Sequence, residues 1–542
     1  MAVLLAWYHG HKGENRISSG ELSLLCVLLV IGAGLLWAFT RPTAHALVQT
    51  QPATPVAPAA SVAVLPFANL TGEADKEYFS DGMAEELINE LTDVPGLKVP
   101  ARTSSFAYRG RNVDIRQIAR DLGVATILEG SVRSAGERIR VTAQLINAQT
   151  GYHLWSKTYD EDFGNVFKLE DEVSAEIVQA LKSSLNAQLP AAVAQAPPTQ
   201  DPDAYRLYLQ GSAANPVLAI PFLNQAIAKD PRFARAYAAR AEDSVAGASE
   251  GMFSYASVLT DAERDANTAL ALDPSLAPAQ AVLGTLNVWR GDWVAAESSS
   301  DRARQLDRKD PQAYMAHAEI VLAGAGHMRQ AEQEALVGYG LAPANPRVVA
   351  GVAALYDLMG RTAEAMRYAR LTIALGEGDN PLVLVVRRDS ALRSGRYEEA
   401  ARLEIGADPT LQDPSRAAAL RQAFAAFGNP AARAAAARAL RGLLQALRAS
   451  KRDDYRISAM LWPTRLGDVD FAYDSANWYL DQYARDGIVG TSWGFLWMPE
   501  MRPFRQDPRF QAFVRRLKLI DYWTRYGPPD DCDLKDEKLT CR

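Results

Sequence analysis

The chain has 542 residues, enough for two to four domains with sizeable cores. Its net charge of −6 argues against a general nucleic-acid binder, which carries a basic face. Six histidines and three cysteines leave few ligands for a metal centre, and no CxxC, HExxH or P-loop motif occurs. No metal, cofactor or nucleic acid is expected.

Residues 1–21 form a short segment ahead of an uncharged run, "LSLLCVLLVIGAGLLWAF", from Leu22 to Phe39. As a helix at about 1.5 Å per residue, this run matches the hydrocarbon thickness of a bilayer. Residues 22–40 are therefore expected to form a single transmembrane helix, with Trp37 as an interfacial anchor. Lys12, Arg16 and Arg41 give a weak bias toward a cytoplasmic N-terminus and a periplasmic remainder. A competing reading is a signal peptide cleaved at Ala44-His45-Ala46. Both readings carry the rest of the chain across the membrane. His9 and His11 are spaced for a shared metal but have no further ligand nearby.

A Pro/Ala stretch, 41–60, reads as a stiff linker, and a second one spans 187–203. Between them, 61–186 is expected to be a compact α/β layer domain. Ser61 to Phe67 is β-rich. Asp75 to Leu91 has helical spacing, with Phe79, Met83, Leu87 and Leu91 on one face. "GLKVPAR" reads as a second strand and Val113 to Leu122 as a second helix. Three strands then follow, with turns at Ser134–Glu137 and Ala148–Gly151, and a helix from Asn165 to Leu185 closes the domain. The first strand–helix junction, Asn69 to Glu77, has one glycine and three acids. Those carboxylates suit a helix N-terminus but repel phosphate, so no nucleotide site is expected there. Arg102, Thr103 and Ser104 follow the second strand. They form a possible ligand loop, against the plainer reading of a turn.

From 204 to 405 the texture changes to Ala-rich helices. Glycine recurs at 291, 326, 360 and 395, and alanine follows each by five residues, at 296, 331, 365 and 400. A period near 34 with these small residues marks the tetratricopeptide repeat, or TPR. Glycine ends the first helix of each pair, and alanine lets the second approach closely. An insertion at about 244 to 258 stretches one pair. By repeat register the inner face includes Thr285, Val288, Trp289, Ile320, Arg347, Asp357 and Asp389, a surface suited to a protein or peptide partner. Trp289 could anchor that partner, although a tryptophan at helical spacing is more often core.

"GASEG", Gly247 to Gly251, matches the G-x-S-x-G nucleophile elbow. That motif needs a strand–turn–helix context, and Ser249 instead lies in the loop-like insertion, so no catalytic residue is expected. His317 and His327 read as ordinary core or surface residues. Residues 406–542 are expected to hold degenerate helical repeats and a C-terminal cap over the last repeat's open face. The arginines of the 433–450 helix read as a solvated face; an acidic partner is the alternative. Cys532 and Cys541 are placed to close a small disulfide loop in an oxidising periplasm, or else stay two surface thiols.

"SVAVLPFANL", "EYFSDGMAEELINEL", "ARTSSFAYRG", "DIRQIARDLGVATILEGSVR", "RIRVTAQLINAQTGYHLWSKTYD" and "FKLEDEVSAEIVQAL" resemble the TolB-like N-terminal domain of bacterial signalling proteins. In that family the domain precedes TPR repeats, as here. The resemblance implies an overall α+β class: one transmembrane helix, a TolB-like α/β domain, then an all-α TPR superhelix. Members often carry a cyclase domain or a CadC-type winged helix before the membrane segment, and 21 residues are too few for either. The expected function is a non-catalytic, periplasmic protein-binding scaffold or sensor on the bacterial inner membrane. The alternative is the sensor half of a cyclase-type or CadC-type signalling protein. An envelope hydrolase using Ser249 is a third reading.

Overall fold

The pattern Val62-Ala63-Val64-Leu65 sends alternate side chains to opposite faces of a strand, and both faces are covered. In the computed structural model, which describes residues 60–73, 76–185, 189–190, 197–249, 252–449 and 456–541, this strand opens a five-stranded sheet. β1 (Val62–Val64) and β2 (Ala68–Asn69) both pair in parallel with β3 (Thr126–Ala135). β4 (Arg138–Asn147) and β5 (His153–Asp162) follow antiparallel, through the two expected turns.

Helices α1 (Glu77–Thr92) and α4 (Val166–Leu185) cover the face bearing Val62, Val64, Leu128 and Val141. The opposite face, with Ala63, Leu65 and Ile127, packs on Tyr108 and on α3 (Ile115–Leu122). "GLKVPAR" is not a strand: it contributes only a bridge from Lys98 to Ser61 before α2 (Arg102–Phe106) starts. Pro100 explains this in part, because it has no N–H to give to a ladder.

Eight helix pairs follow among the described residues, from Pro202–Ser212 with Pro216–Lys229 to Arg456–Leu466 with Val469–Arg485. Gly291, Gly326, Gly360 and Gly395 all take positive φ between the two helices of a pair. Ala296, Ala331, Ala365 and Ala400 are fully buried where those helices touch. First helices of successive pairs pack on each other, as 277–290 does on 234–249 and 381–393 on 346–358; second helices do so far less. The stack therefore curves, with first helices lining its inner surface. The insertion is mainly helix: 234–249 runs on to Ser249, whose hydroxyl donates back to the Val245 carbonyl.

The first pair belongs to the α/β core as much as to the repeats. Tyr205 packs tilted against Phe167 at 4.9 Å and donates to Glu170, and Leu209 fills the space over Gly82. The α/β domain also reaches the turns between repeats. Lys309 donates to the Thr92 carbonyl, and Ala344 and Leu375 join the cluster around Tyr108 and Ile118.

The C-terminal segment packs on the last pair, where Tyr473 stacks on Phe504 at 4.0 Å and donates to its carbonyl. It also runs back along the turns within three earlier pairs. Trp293 donates to the Leu517 carbonyl, Trp523 to Ala325 and Trp497 to Gly324. Pro499 packs on Gly360. The segment ends in a hairpin, Cys532–Lys535 with Lys538–Cys541, closed by a disulfide between Cys532 and Cys541.

Residues 1–59 lie outside the description. With them lie the apolar run 22–39, the Ala44-His45-Ala46 pattern, His9 and His11, and nearly all of the first linker; of the second linker, residues 187–188 and 191–196 lie outside as well. Among the described residues no helix is long and apolar enough to cross a membrane.

Candidate functional site

The inner surface takes its side chains from the first helices of the pairs. Of the seven residues assigned to it by register, three are accessible there. Thr285 and Ile320 are half-buried and line one narrow cavity between 277–290 and 311–325. Arg347 is exposed at the start of Pro346–Leu358.

The other four are core residues, which corrects the register reading. Val288 is fully buried, and Trp289 is 1% exposed, edge-on to Tyr255 at 5.0 Å. Trp289 is thus unavailable to a partner: its ring seals the joint between two pairs. Asp357 and Asp389 are also buried. Arg393 bridges Asp357 to Glu500 of the C-terminal segment, at 2.5 and 2.8 Å. Asp389 holds Arg388 at 2.8 Å, and Arg388 holds Glu404. Burial and the neighbouring Asp389 push the Asp357 acid well up, whereas the Arg388 guanidinium holds Asp389 low despite its burial. Helical register gives each residue's angle on its own helix but not which side a curved stack will bury, and that is why register alone misplaced these four.

Acidic groups crowd the inner surface. Glu319 sits on a π-helical stretch, His317–Leu322, and lies over Gly351, where a Cβ would come within 2.0 Å of its Oε1. Burial pushes its acid up to about 7, with Arg347 only partly offsetting this. Asp310 is pushed up to about 6 by burial. Glu242 is open to water by area, yet the concave wall crowds it. Desolvation and the nearby Asp310 and Glu85 raise its acid, while Arg347 opposes. Glu85 belongs to α1, so the α/β domain contributes to the same electrostatic field. None of these acids stood out in the sequence, where Asp and Glu are common; the π-helical stretch has no sequence mark at all.

Behind the π-helical stretch, His317 is fully buried with Nε2 3.0 Å from Glu297, and Tyr522 donates to the other Glu297 oxygen at 2.9 Å. The C-terminal segment is thereby wired to the helix that carries Ile320 and Glu319. His327 meets the Gly527 carbonyl at 3.0 Å.

The proposed ligand loop is occupied by internal contacts. Arg102 pairs with Glu85 at 2.9 Å and lies over the Phe106 ring at 4.2 Å. Ser104 is 1% exposed inside α2. Thr103's side chain is outside the description. Ser249, at a helix end, lacks the strand–turn–helix setting of a nucleophile elbow. In the 433–449 helix, Arg441 pairs with Asp468 and Arg448 lies over Phe471, so both serve internal packing. Among the described residues no group of three or more His, Cys, Asp or Glu is placed to hold a metal ion.

No family model matches the chain. It is 43% identical over 185 residues to "Putative adenylate cyclase 3" of Rhizobium meliloti (strain 1021). That match covers 33% of this chain and 31% of the relative, so the chain spans about a third of that protein's length. Among solved structures it resembles a tetratricopeptide repeat protein from Parabacteroides merdae ATCC 43184, with 19% identity, 48% of this chain and 94% of that chain covered and a TM-score of 0.31. It also resembles TolB from Acinetobacter baumannii, with 15% identity, 23% of this chain and 28% of that chain covered and a TM-score of 0.17. These scores are too low to carry an argument; the repeat architecture rests on the helix pairs described above.

Proposed function

We propose that this protein is a non-catalytic binding scaffold whose inner repeat surface takes a segment of a protein partner. One observation carries the reading. The α/β domain covers turns between repeats, the C-terminal segment covers turns within them, and Thr285, Ile320 and Arg347 stay accessible between these two edges. The membrane anchor is residues 22–39, and the bulk of the chain lies in the periplasm as a sensor or scaffold. A photo-crosslinker at Ile320 or Arg347 tests the binding surface against one at Leu336, which is 38% exposed on a second helix. One shared partner at both inner positions and none at Leu336 is expected. Equal yields at all three would refute the reading. Proteinase accessibility in spheroplasts tests the topology: a protected bulk domain would overturn the periplasmic assignment.

The similarity to a protein named as an adenylate cyclase favours a second reading. In it the chain is the sensing part of a cyclase-type or CadC-type signalling system whose output domain lies elsewhere. Reading the in-frame DNA upstream of Met1 and mapping the native N-terminus by mass spectrometry separates the two.

A further inference from the structure

Where the C-terminal segment crosses the 326–329 and 359 turns, it leaves a cleft of about 530 Å³. That volume lies within the range of small-molecule sites. Met328, Met359, Trp497 and Pro499 supply apolar wall, and the Cys532–Cys541 hairpin forms part of the rim. Arg505 also lines the cleft. Its Nη1 donates to the carbonyls of Leu496 and Met498, which fixes the guanidinium 5.9 Å from the Trp497 ring centre.

Arg505 differs from the repeat arginines that meet this segment. Arg393 has Asp357 and Glu500, and Arg329 has Asp530 at 3.2 Å. Among the described residues Arg505 has no carboxylate within ion-pair distance, and its Nε and Nη2 have no hydrogen-bond partner. Burial pulls its pKa down to about 10, Arg502 adds to this, and Asp531 offsets only part. Arg505 is half-buried and only partly compensated by Asp531, which leaves its guanidinium able to take a further anion. The Nε–H and Nη2–H groups form a fork that matches a carboxylate, and Arg505 lines a cleft in which the apolar residues sit beside Arg329, Asp530 and Asp531. Asp530 on the rim is paired with Arg329, and Asp531 opposes added negative charge, so a singly charged anion is disfavoured less than a doubly charged phosphate.

We propose that this cleft binds an organic carboxylate with an apolar body, its carboxylate on Arg505 and its body between Met359 and Trp497. The site is separate from the inner repeat surface and does not depend on what binds there.

The test uses the full chain with hexanoate as probe and hexanamide as its uncharged control, read by saturation-transfer NMR and calorimetry. Hexanoate is expected to bind at least about tenfold more tightly than hexanamide, as a charge-assisted fork requires. Met359→Trp fills the cleft without removing a hydrogen bond, and it should weaken hexanoate about tenfold with the thermal midpoint unchanged. Arg505→Lys keeps the charge but loses the fork, and it should weaken binding while Met359→Trp controls for misfolding. Equal binding of acid and amide, no binding of hexanoate, or binding untouched by Met359→Trp would each overturn the proposal.

Discussion

Replacing Gly326 by alanine separates the turn's own requirement from its contact with the C-terminal segment. Gly326 has φ +87, and an added Cβ would lie 2.6 Å from Trp497 and 2.7 Å from Pro529. Trp497 cannot easily retreat, because it is buried and donates to the Gly324 carbonyl. Gly395 occupies the same repeat position at φ +73, with nothing within 4 Å of an added Cβ. Both substitutions carry a left-handed backbone penalty of about 1–2 kcal/mol. Only Gly326→Ala adds overpacking, about 1–3 kcal/mol more. The expected losses are therefore about 2–5 kcal/mol for Gly326→Ala and about 1–2 kcal/mol for Gly395→Ala. Thermal unfolding ranks the two, and limited trypsin digestion locates the damage, since Arg505, Arg509, Arg515 and Arg516 lie in the displaced segment. Early cleavage there in Gly326→Ala alone is expected. Equal midpoints with equal digestion would show that the segment does not hold the turns as described.

Further outcomes follow from the same contacts. Glu319 has an acid pushed up to about 7 against an ordinary 4.5, so the folded state holds its proton more tightly and loses stability as pH rises from about 4.5 through 7. Glu319→Gln should raise the thermal midpoint at about pH 8 and leave it nearly unchanged at about pH 5; an equal shift at both would contradict the burial argument. Arg393→Met leaves buried Asp357 without its cation and Glu500 with Arg465 alone, at 3.8 Å, and should destabilise by about 3–5 kcal/mol in denaturant melts. Asp357→Asn in that background should recover part of the loss. Non-reducing peptide mapping should recover Cys532 and Cys541 in one linked fragment, and reduction should remove about 2–3 kcal/mol from the hairpin region, seen as faster amide exchange at 532–541.

Much of the architecture could be read before any coordinates. The glycines at 291, 326, 360 and 395 and the alanines five residues later report a local need, a left-handed turn and a close helix crossing, and local needs leave marks in sequence. The alternation of Val62 to Leu65 and the four-residue spacing from Phe79 to Leu91 do so for the same reason. What the tertiary structure decided is non-local. Trp289 and Asp357 share helical positions with accessible residues, and only the curvature of the stacked pairs buries them. Trp497 and Trp523 find their acceptors some 173 and 198 residues away, which no spacing encodes. Arg505 looks like any surface arginine until the segment around it folds back, half-buries it and fixes it on the Leu496 and Met498 carbonyls. Periodicity reports the neighbours a residue meets along its own helix, whereas a binding surface is made by neighbours the chain brings in from afar.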